Sequence, residues 1–218
     1  MPDSKNSPTG AALPGVLVYV VGPSGAGKDT LIARVQDMPT GSLETRPLHV
    51  ARRRITRPAG GSAENHHEMT DAEFARALQK GEFVMHWESH GLSYGISREI
   101  DGWLAADAVV IVNGSREYLP EAAKMYPHLV PVLIRVTPEA LRQRLAARGR
   151  ETAGEIDERI RRAALAVPDV PGLVVIDNSG PLESAVAAFS RLILNLREDT
   201  AMPHAFAASP ASAASRAA

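Results

Sequence analysis

The fold is decided by residues 16–30, VLVYVVGPSGAGKDT. The first six residues are apolar and rich in β-branched side chains, which is typical of a strand buried on both faces of a parallel sheet. The following residues, Gly22 to Lys28, fit the pattern G-x-x-x-x-G-K. Apolar residues then recur at helical spacing at Leu31, Ile32 and Val35. The order of strand, glycine-rich turn and helix predicts a phosphate-binding loop.

The chemistry of this loop indicates ATP as its ligand. Glycines allow backbone N–H groups to approach phosphate oxygens, and the helix N-terminus contributes partial positive charge. We expect Lys28 to bridge the β- and γ-phosphates and to be catalytic, because it neutralises charge as the phosphoryl group moves. The predicted ATP-binding residues are Gly22, Pro23, Ser24, Gly25, Ala26, Gly27, Lys28, Asp29 and Thr30.

The residue after the lysine departs from the usual pattern. A Ser or Thr hydroxyl ligates Mg²⁺ at that position in most such loops, whereas this chain has Asp29. A carboxylate is a good ligand for a hard cation, so Asp29 is a candidate Mg²⁺ ligand. Thr30 lies about 100° further around the helix and is a poorer candidate. The alternative interpretation is a glycine-rich turn that binds no nucleotide.

Short apolar segments and helical patterns alternate along the rest of the chain. This alternation predicts an α/β fold, a P-loop domain with a parallel β-sheet flanked by helices. Thr137 and Pro138 are typical of an N-cap and a first helical residue. The further strands are expected at about 47–50, 108–112, 130–136 and 172–176, and the further helices at about 71–80, 116–126, 138–148, 155–166 and 182–196.

Composition excludes several classes of protein. The chain has 218 residues, a formal net charge of −1 and no cysteine, which excludes disulfide scaffolds, thiolate zinc sites and Cys nucleophiles. Polar, Pro/Gly/Ser-rich residues 1–14 are expected to form a flexible tail without a secretory signal, and Ala/Ser/Pro-rich residues 198–218 a disordered one. We therefore expect a cytoplasmic protein that acts on a small molecule, with no nucleic-acid or membrane partner. The sequence indicates no oligomeric state.

A run of arginines, ARRRITRP at residues 51–58, follows the second strand. Arginine suits bidentate recognition of phosphate. Because the carboxyl ends of parallel strands meet at one edge of the sheet, we expect this run to bind a second, phosphorylated substrate near the phosphate loop. The alternatives are a solvated charged segment and a nucleic-acid patch, and the net charge disfavours the latter.

These motifs, together with Tyr94-Gly95 and the stretch RLAARG at 144–149, resemble guanylate kinases over about residues 16–197. The resemblance implies a kinase domain at 15–197 with a small inserted acceptor-binding subdomain at about 51–100 and a helical lid at about 144–160. It implies that Arg54, Arg57 and Tyr94 hold the acceptor phosphate. It also implies that the lid arginines Arg148 and Arg159 are catalytic, because they reach the transferring phosphoryl group.

The positions that read the guanine base do not match that family. The resemblance places Met85 where guanylate kinases have a Glu, and Ile96 where a Ser or Thr contacts the base. Neither side chain can form hydrogen bonds with a guanine edge. His66 falls where that family has a phosphate-binding Tyr, and a shifted register would bring Glu88 to the base. The resemblance therefore predicts that phosphate recognition is kept and guanine recognition is lost.

A second family within this fold is more similar, the ribose 1,5-bisphosphate phosphokinases of phosphonate breakdown. The resemblance implies transfer of the γ-phosphoryl group of ATP, with Mg²⁺, to the 1-phosphate of ribose 1,5-bisphosphate. The products would be ADP and 5-phosphoribosyl 1-diphosphate (PRPP). Glu64, Asn65 and His66 would bind sugar hydroxyls or phosphate. The similar stretches are GPSGAGKD (22–29), ARRRITRPA (51–59), Glu64-Asn65-His66, Tyr94-Gly95, VNGSR (112–116) and LRQRLAARGRE (141–151).

Three other functions compete with this one. A nucleoside-monophosphate kinase, most simply a guanylate kinase, is disfavoured by Met85 and Ile96. An interaction module that has lost catalysis is disfavoured by the intact loop and lid arginines. A sugar kinase acting on a hydroxyl would need a carboxylate base, for which Asp29 is the obvious candidate.

Several residues also have a structural interpretation. His66 and His67 could be ordinary surface-loop residues. The segment 113–115 could lie near Mg²⁺ or substrate, or Ser115 could cap the next helix. The tryptophans Trp87 and Trp103 are expected to pack, and the arginines Arg142, Arg161 and Arg162 to be solvated or locally paired.

Overall fold

The computed structural model describes residues 14–38, 45–57, 66–149 and 151–198. The predicted site residues Glu64 and Asn65 lie outside the described residues, as do residues 1–13 and 199–218 of the two predicted tails. The elements follow in this order: β1 (Val16–Val21), α1 (Lys28–Gln36), β2 (Leu48–Ala51), β3 (Arg53–Ile55), β4 (His66–Glu68), α2 (Asp71–Gln79), β5 (Phe83–Ser89), β6 (Leu92–Ser97), α3 (Glu99–Ala105), β7 (Val109–Asn113), α4 (Leu119–Met125), β8 (Val130–Arg135), α5 (Pro138–Arg148), α6 (Ala153–Ala163), β9 (Val174–Asp177) and α7 (Leu182–Glu198).

The five strands predicted from alternation form one parallel sheet in the order β2-β7-β1-β8-β9. β1 lies in the centre, where Val18 faces Ile111 of β7 on one side and Val130 of β8 on the other. The predicted α/β fold with a parallel sheet is thereby confirmed. The last strand differs in its bounds, because it begins at Val174 and includes Asp177.

The core consists of two apolar layers, one on each face of this sheet. Successive side chains of a strand point to opposite faces. Val16, Val18 and Val20 pack in the layer that contains residues of α1 and α7, whereas Leu17, Tyr19 and Val21 pack in the layer that contains residues of α3 and α4. All six residues of β1 are therefore buried, which explains its uninterrupted apolar run.

A second, four-stranded sheet has the order β4-β3-β6-β5 and lies within the range assigned to the acceptor-binding insertion. β5 and β6 form an antiparallel hairpin, and β3 pairs with β6 antiparallel and with β4 parallel. None of these four strands is predicted from the sequence. β3 and β4 are only three residues long and strongly polar, so they carry no apolar alternation.

Helix starts follow the capping chemistry. Thr137 caps α5 as predicted, with its side chain accepting a hydrogen bond from the Ala140 N–H. α6 begins at Ala153, two residues before the predicted start, because Thr152 and Glu155 form a capping box. The interpretation of Ser115 as a helix cap is wrong, since α4 begins at Leu119.

Within the described residues, every helix is too short or too polar to cross a membrane.

Candidate active site

The phosphate loop joins β1 to α1 and carries the predicted ATP-binding residues. Gly25 and Gly27 have φ angles of 89° and 90°, a left-handed conformation that glycine adopts without steric cost. The Lys28 Nζ donates hydrogen bonds to the carbonyl oxygens of Gly22 at 2.8 Å and Pro23 at 3.0 Å. The ammonium group therefore lies against the first turn of the loop, where phosphate oxygens can replace these carbonyl partners.

Asn178, which sequence reasoning missed, supports this loop from behind. It is buried directly after β9, and its Nδ2 donates a hydrogen bond of 2.7 Å to the Ala26 carbonyl oxygen. A Cβ atom at Gly27 would lie only 2.6 Å from that nitrogen, so the position requires glycine. The lid residue Arg144 in turn donates to the Asn178 carbonyl oxygen at 2.6 Å. The signal in the sequence is an amide residue at the carboxyl end of a parallel strand.

Side chains from two strands, β7 and β3, contact the Asp29 carboxylate at the start of α1. Its Oδ1 accepts a hydrogen bond of 2.7 Å from Asn113 Nδ2, at the end of β7, and lies 3.3 Å from Arg53 Nη2, at the start of β3. The parallel sheet explains the first contact, because β7 and β1 are neighbours whose carboxyl ends meet at one edge. Asn113 thus lies beside the candidate metal ligand.

The oxygen donors present fit Mg²⁺. The Asp29 side chain is half exposed, at 49%, so its carboxylate can reach a ligand in the cleft. The Asn113 Oδ1 is buried and has no hydrogen-bond partner among the described residues. Mg²⁺ prefers oxygen ligands and is usually held by one or two carboxylates together with substrate phosphates. Within the same residues, no three His, Asp or Glu side chains lie close enough together to hold a metal ion. Asp29 is the carboxylate that would contribute to a Mg²⁺ site beside the loop.

The neighbouring residues Arg53 and Arg54 point to opposite faces of β3, as the alternation of a strand requires. Arg53 faces Asp29 and lies over the Tyr94 ring, 6.0 Å from its centroid. Arg54 pairs with Glu82 at 3.0 Å and lies over the Phe83 ring. The structure therefore brings Arg53, which the sequence analysis left out of the site, to the phosphate loop, and it holds Arg54 elsewhere.

The remaining predicted acceptor residues lie around the same small sheet. Tyr94 of β6 stacks on Trp87, with ring centroids 5.6 Å apart, and Trp87 also contacts Tyr118. The expectation that Trp87 packs is thus confirmed, as is that for Trp103, which stacks on His49. His66 belongs to strand β4 rather than to a loop, and its Nε2 lies 3.7 Å from Glu68 Oε1. Arg57 lies two residues after the end of β3.

The range predicted to form a lid, about 144–160, spans the end of α5, the turn at Gly149 and most of α6. Arg159 of α6 donates a hydrogen bond of 3.1 Å to Ser24 Oγ in the phosphate loop, and Glu151 holds the same guanidinium at 3.1 Å. The predicted lid arginine Arg159 thus touches the loop. Arg148 is exposed at the end of α5, and no ion pair or hydrogen bond holds its side chain to another described residue.

Two further contacts hold the lid helix α6. Arg116, just after β7, donates hydrogen bonds to the carbonyl oxygens of Arg162, Ala163 and Leu165, which caps the C-terminus of the helix. Burial lowers the pKa of this guanidinium. Arg162 contacts His90 at the tip of the β5–β6 hairpin at 2.9 Å. Helix α6 therefore contacts both the β5–β6 hairpin of the second sheet and the segment that follows β7 of the main sheet.

The two positions that the resemblance to guanylate kinases assigns to base recognition are buried. Met85 and Ile96 face each other across the β5–β6 hairpin and are both fully buried in the core. Glu88 is exposed on the opposite face of β5, where it lines a groove of about 530 Å³ against α2. A carboxylate for guanine is therefore present neither at Met85 nor, through a shifted register, at Glu88.

Met85→Glu is expected to lower the free energy of unfolding by about 3–5 kcal/mol, because it leaves an uncompensated carboxylate in the core. Urea unfolding measures this change. Met85→Leu is the matched control and is expected to cost less than about 1.5 kcal/mol, since volume and polarity are conserved. A Met85→Glu protein as stable as the Leu variant would mean that this position opens into the cleft.

Comparisons with known proteins identify the family. A scan against protein-family models finds no match. The chain is 49% identical over 178 residues to the ribose 1,5-bisphosphate phosphokinase PhnN of Desulfomicrobium baculatum, covering 82% of this chain and 94% of that protein. It is 45% identical over 193 residues to that of Thiobacillus denitrificans, covering 88% and 98%.

The fold has a counterpart among solved structures. The guanylate kinase from Anaplasma phagocytophilum aligns with a TM-score of 0.55 and 18% identity over 85% of this chain and 88% of that one. This likeness supports the guanylate-kinase-like fold alone. Identity of 45% or more to relatives that are covered almost completely shows that the chain belongs to the ribose 1,5-bisphosphate phosphokinase PhnN family, and hence to the kinases.

Proposed function

We propose that this chain transfers the γ-phosphoryl group of ATP to the 1-phosphate of ribose 1,5-bisphosphate, giving PRPP and ADP. The observation that carries the proposal is the 49% identity to a kinase that is named for this acceptor. The burial of Met85 and Ile96 supports it, because a sugar bisphosphate has no base to be read. An oxygen of the 1-phosphate attacks the γ-phosphorus, and the bond from that phosphorus to the β–γ bridging oxygen breaks to release ADP.

On the donor side, residues 22–30 cradle the ATP phosphates. Lys28 exchanges its carbonyl partners for β- and γ-phosphate oxygens and neutralises their charge. Asp29 would hold Mg²⁺, with Asn113 beside it. Bound there, the metal supplies charge neutralisation and a template for the phosphates. The attacking oxygen is already anionic, so no general base is required.

On the acceptor side, the insertion at about 51–100 supplies Arg57, Tyr94 and His66, together with Glu64 and Asn65, for phosphates and hydroxyls. Arg54 joins this set only if it leaves Glu82. The sugar bisphosphate thus meets cations and hydrogen-bonding groups rather than an apolar base pocket.

The lid at about 144–160 closes the site. Arg159 already touches Ser24, so a short movement brings its guanidinium onto the transferring phosphoryl group, and Arg148 approaches from the end of α5. A closed lid excludes water and suppresses hydrolysis of ATP. We place the reaction in the cytoplasm, in phosphonate breakdown and PRPP supply, with residues 15–197 as the kinase domain.

Phosphorus NMR of the purified protein with ATP and Mg²⁺ tests the proposal. Ribose 1,5-bisphosphate, GMP and ribose 5-phosphate are supplied separately. We expect a new diphosphate signal with the bisphosphate alone. GDP formation without turnover of the bisphosphate would make the protein a divergent guanylate kinase and would overturn the proposal.

A further inference from the structure

Met85 and Ile96, the two buried positions that correspond to base-reading residues, lie in one cross-strand row with Arg53. Met85 of β5 faces Ile96 of β6, and Ile96 faces Arg53 of β3 in the register of the second sheet. The first two side chains are fully buried and apolar. The Arg53 side chain is 15% exposed, so it lies at the border of the core and the cleft.

The position of Arg53 relative to the phosphate loop is defined by two contacts. Its Nη2 lies 3.3 Å from Asp29 Oδ1, and Asp29 directly follows Lys28. Its guanidinium lies over the Tyr94 ring, which restricts the other side of the group. Arg53 is therefore beside the transferring end of a nucleotide held by Lys28, whereas Arg54 is paired with Glu82 on the other face of the strand.

We propose that Arg53 binds the attacking phosphate of the acceptor and is the residue by which the cleft selects a sugar phosphate. This inference rests on the proposed function. A guanidinium fork matches two oxygens of one phosphate, and in this structure one nitrogen of that fork, Nη2, contacts Asp29 Oδ1. A metal ion held by Asp29 would weaken the pairing of its carboxylate with Arg53, and the Arg53 guanidinium would then be available to the acceptor phosphate.

Substitutions of single arginines test the proposed role of Arg53. Arg53→Gln is expected to lower kcat/KM for ribose 1,5-bisphosphate by about 100-fold, chiefly through KM, because a charge-assisted hydrogen bond is lost. Calorimetry is expected to give an unchanged dissociation constant for a non-hydrolysable ATP analogue with Mg²⁺. Arg191→Gln is the control, since Arg191 is exposed on α7 and lies outside the arginine run, and is expected to keep wild-type kinetics. Thermal melting confirms that each variant folds, and Arg53→Lys, which keeps the charge without the fork, is expected to be intermediate.

Each other outcome overturns the inference in a distinguishable way. A larger loss in Arg54→Gln than in Arg53→Gln assigns the phosphate to the other face of β3. A loss confined to nucleotide binding means that Arg53 serves Asp29 alone. Wild-type KM in Arg53→Gln, while the wild type turns over the bisphosphate, overturns the inference and leaves the proposed function intact. A wild type that does not turn over the bisphosphate overturns both.

Discussion

Lys28→Ala is expected to lower kcat by about 10³-fold, which is the loss typical of removing one group that stabilises developing charge in a closed site. The reason is geometric, because the Lys28 ammonium lies at the first turn of the loop and is held there by the Gly22 and Pro23 carbonyls. A coupled assay of ADP formation with the bisphosphate measures the change. The same variant is expected to fold, since the two hydrogen bonds it loses are each worth about 1 kcal/mol.

Lys124→Ala provides the matched control for this variant. Lys124 is exposed on α4, where it pairs with Glu121 at 3.1 Å, and its loss is expected to leave turnover unchanged. If Lys28→Ala kept the activity of this control, the loop would not be the donor site, and each of the enzymatic functions considered would be excluded.

Arg159→Ala is expected to lower kcat by about 10²–10³-fold with little change in KM for ATP, because under the proposed function its guanidinium acts on the phosphoryl group during transfer. In this structure the same group bridges Ser24 of the loop and Glu151 of the lid. Steady-state kinetics at saturating bisphosphate separate the two parameters. The expected pattern distinguishes a group that stabilises the transition state from one that only holds the nucleotide.

Arg161→Ala is the control on the same helix. Arg161 is exposed and pairs with Glu158 at 2.6 Å, away from the phosphate loop, so its removal is expected to leave kcat unchanged. A raised KM for ATP with wild-type kcat in Arg159→Ala would show that Arg159 binds ground state and transition state equally. The lid would then act by excluding water rather than by stabilising charge.

The sequence predicts local ion pairs for the arginines of α5 and α6, and the structure confirms some of these contacts and adds another. Arg142 pairs with Asp157 at 2.7 Å, and Arg161 pairs with Glu158, which agrees with the expectation of local ion pairs. Arg162 also pairs with Glu158, but it contacts His90 of the β5–β6 hairpin as well. The first two contacts are made within the pair of helices α5 and α6, whereas the third depends on how the hairpin packs against α6.

Secondary structure was predictable where one segment carries a complete signal. The buried strands of the main sheet and the Thr137–Pro138 helix start are of this kind. Helix α3 was missed although Ile100 and Leu104 repeat at helical spacing, because the helix has only seven residues and contains Gly102. The strand β5 alternates Phe83, Met85 and Trp87, a pattern that could have identified it.

The phosphate loop, the parallel sheet and the family could be predicted from the sequence, because they depend on contiguous motifs and on local periodicity. The arginine of the triplet 52–54 that faces Asp29 could be identified only in the folded protein. Adjacent residues of a strand point to opposite faces, and the register of β3 with β6 fixes which of these arginines lies on the face toward Asp29. It likewise brought Asn113 and Asn178 to the loop from strands that are distant in the chain. A site assembled at the edge of a sheet is defined by strand order, and strand order is a property of the packed molecule.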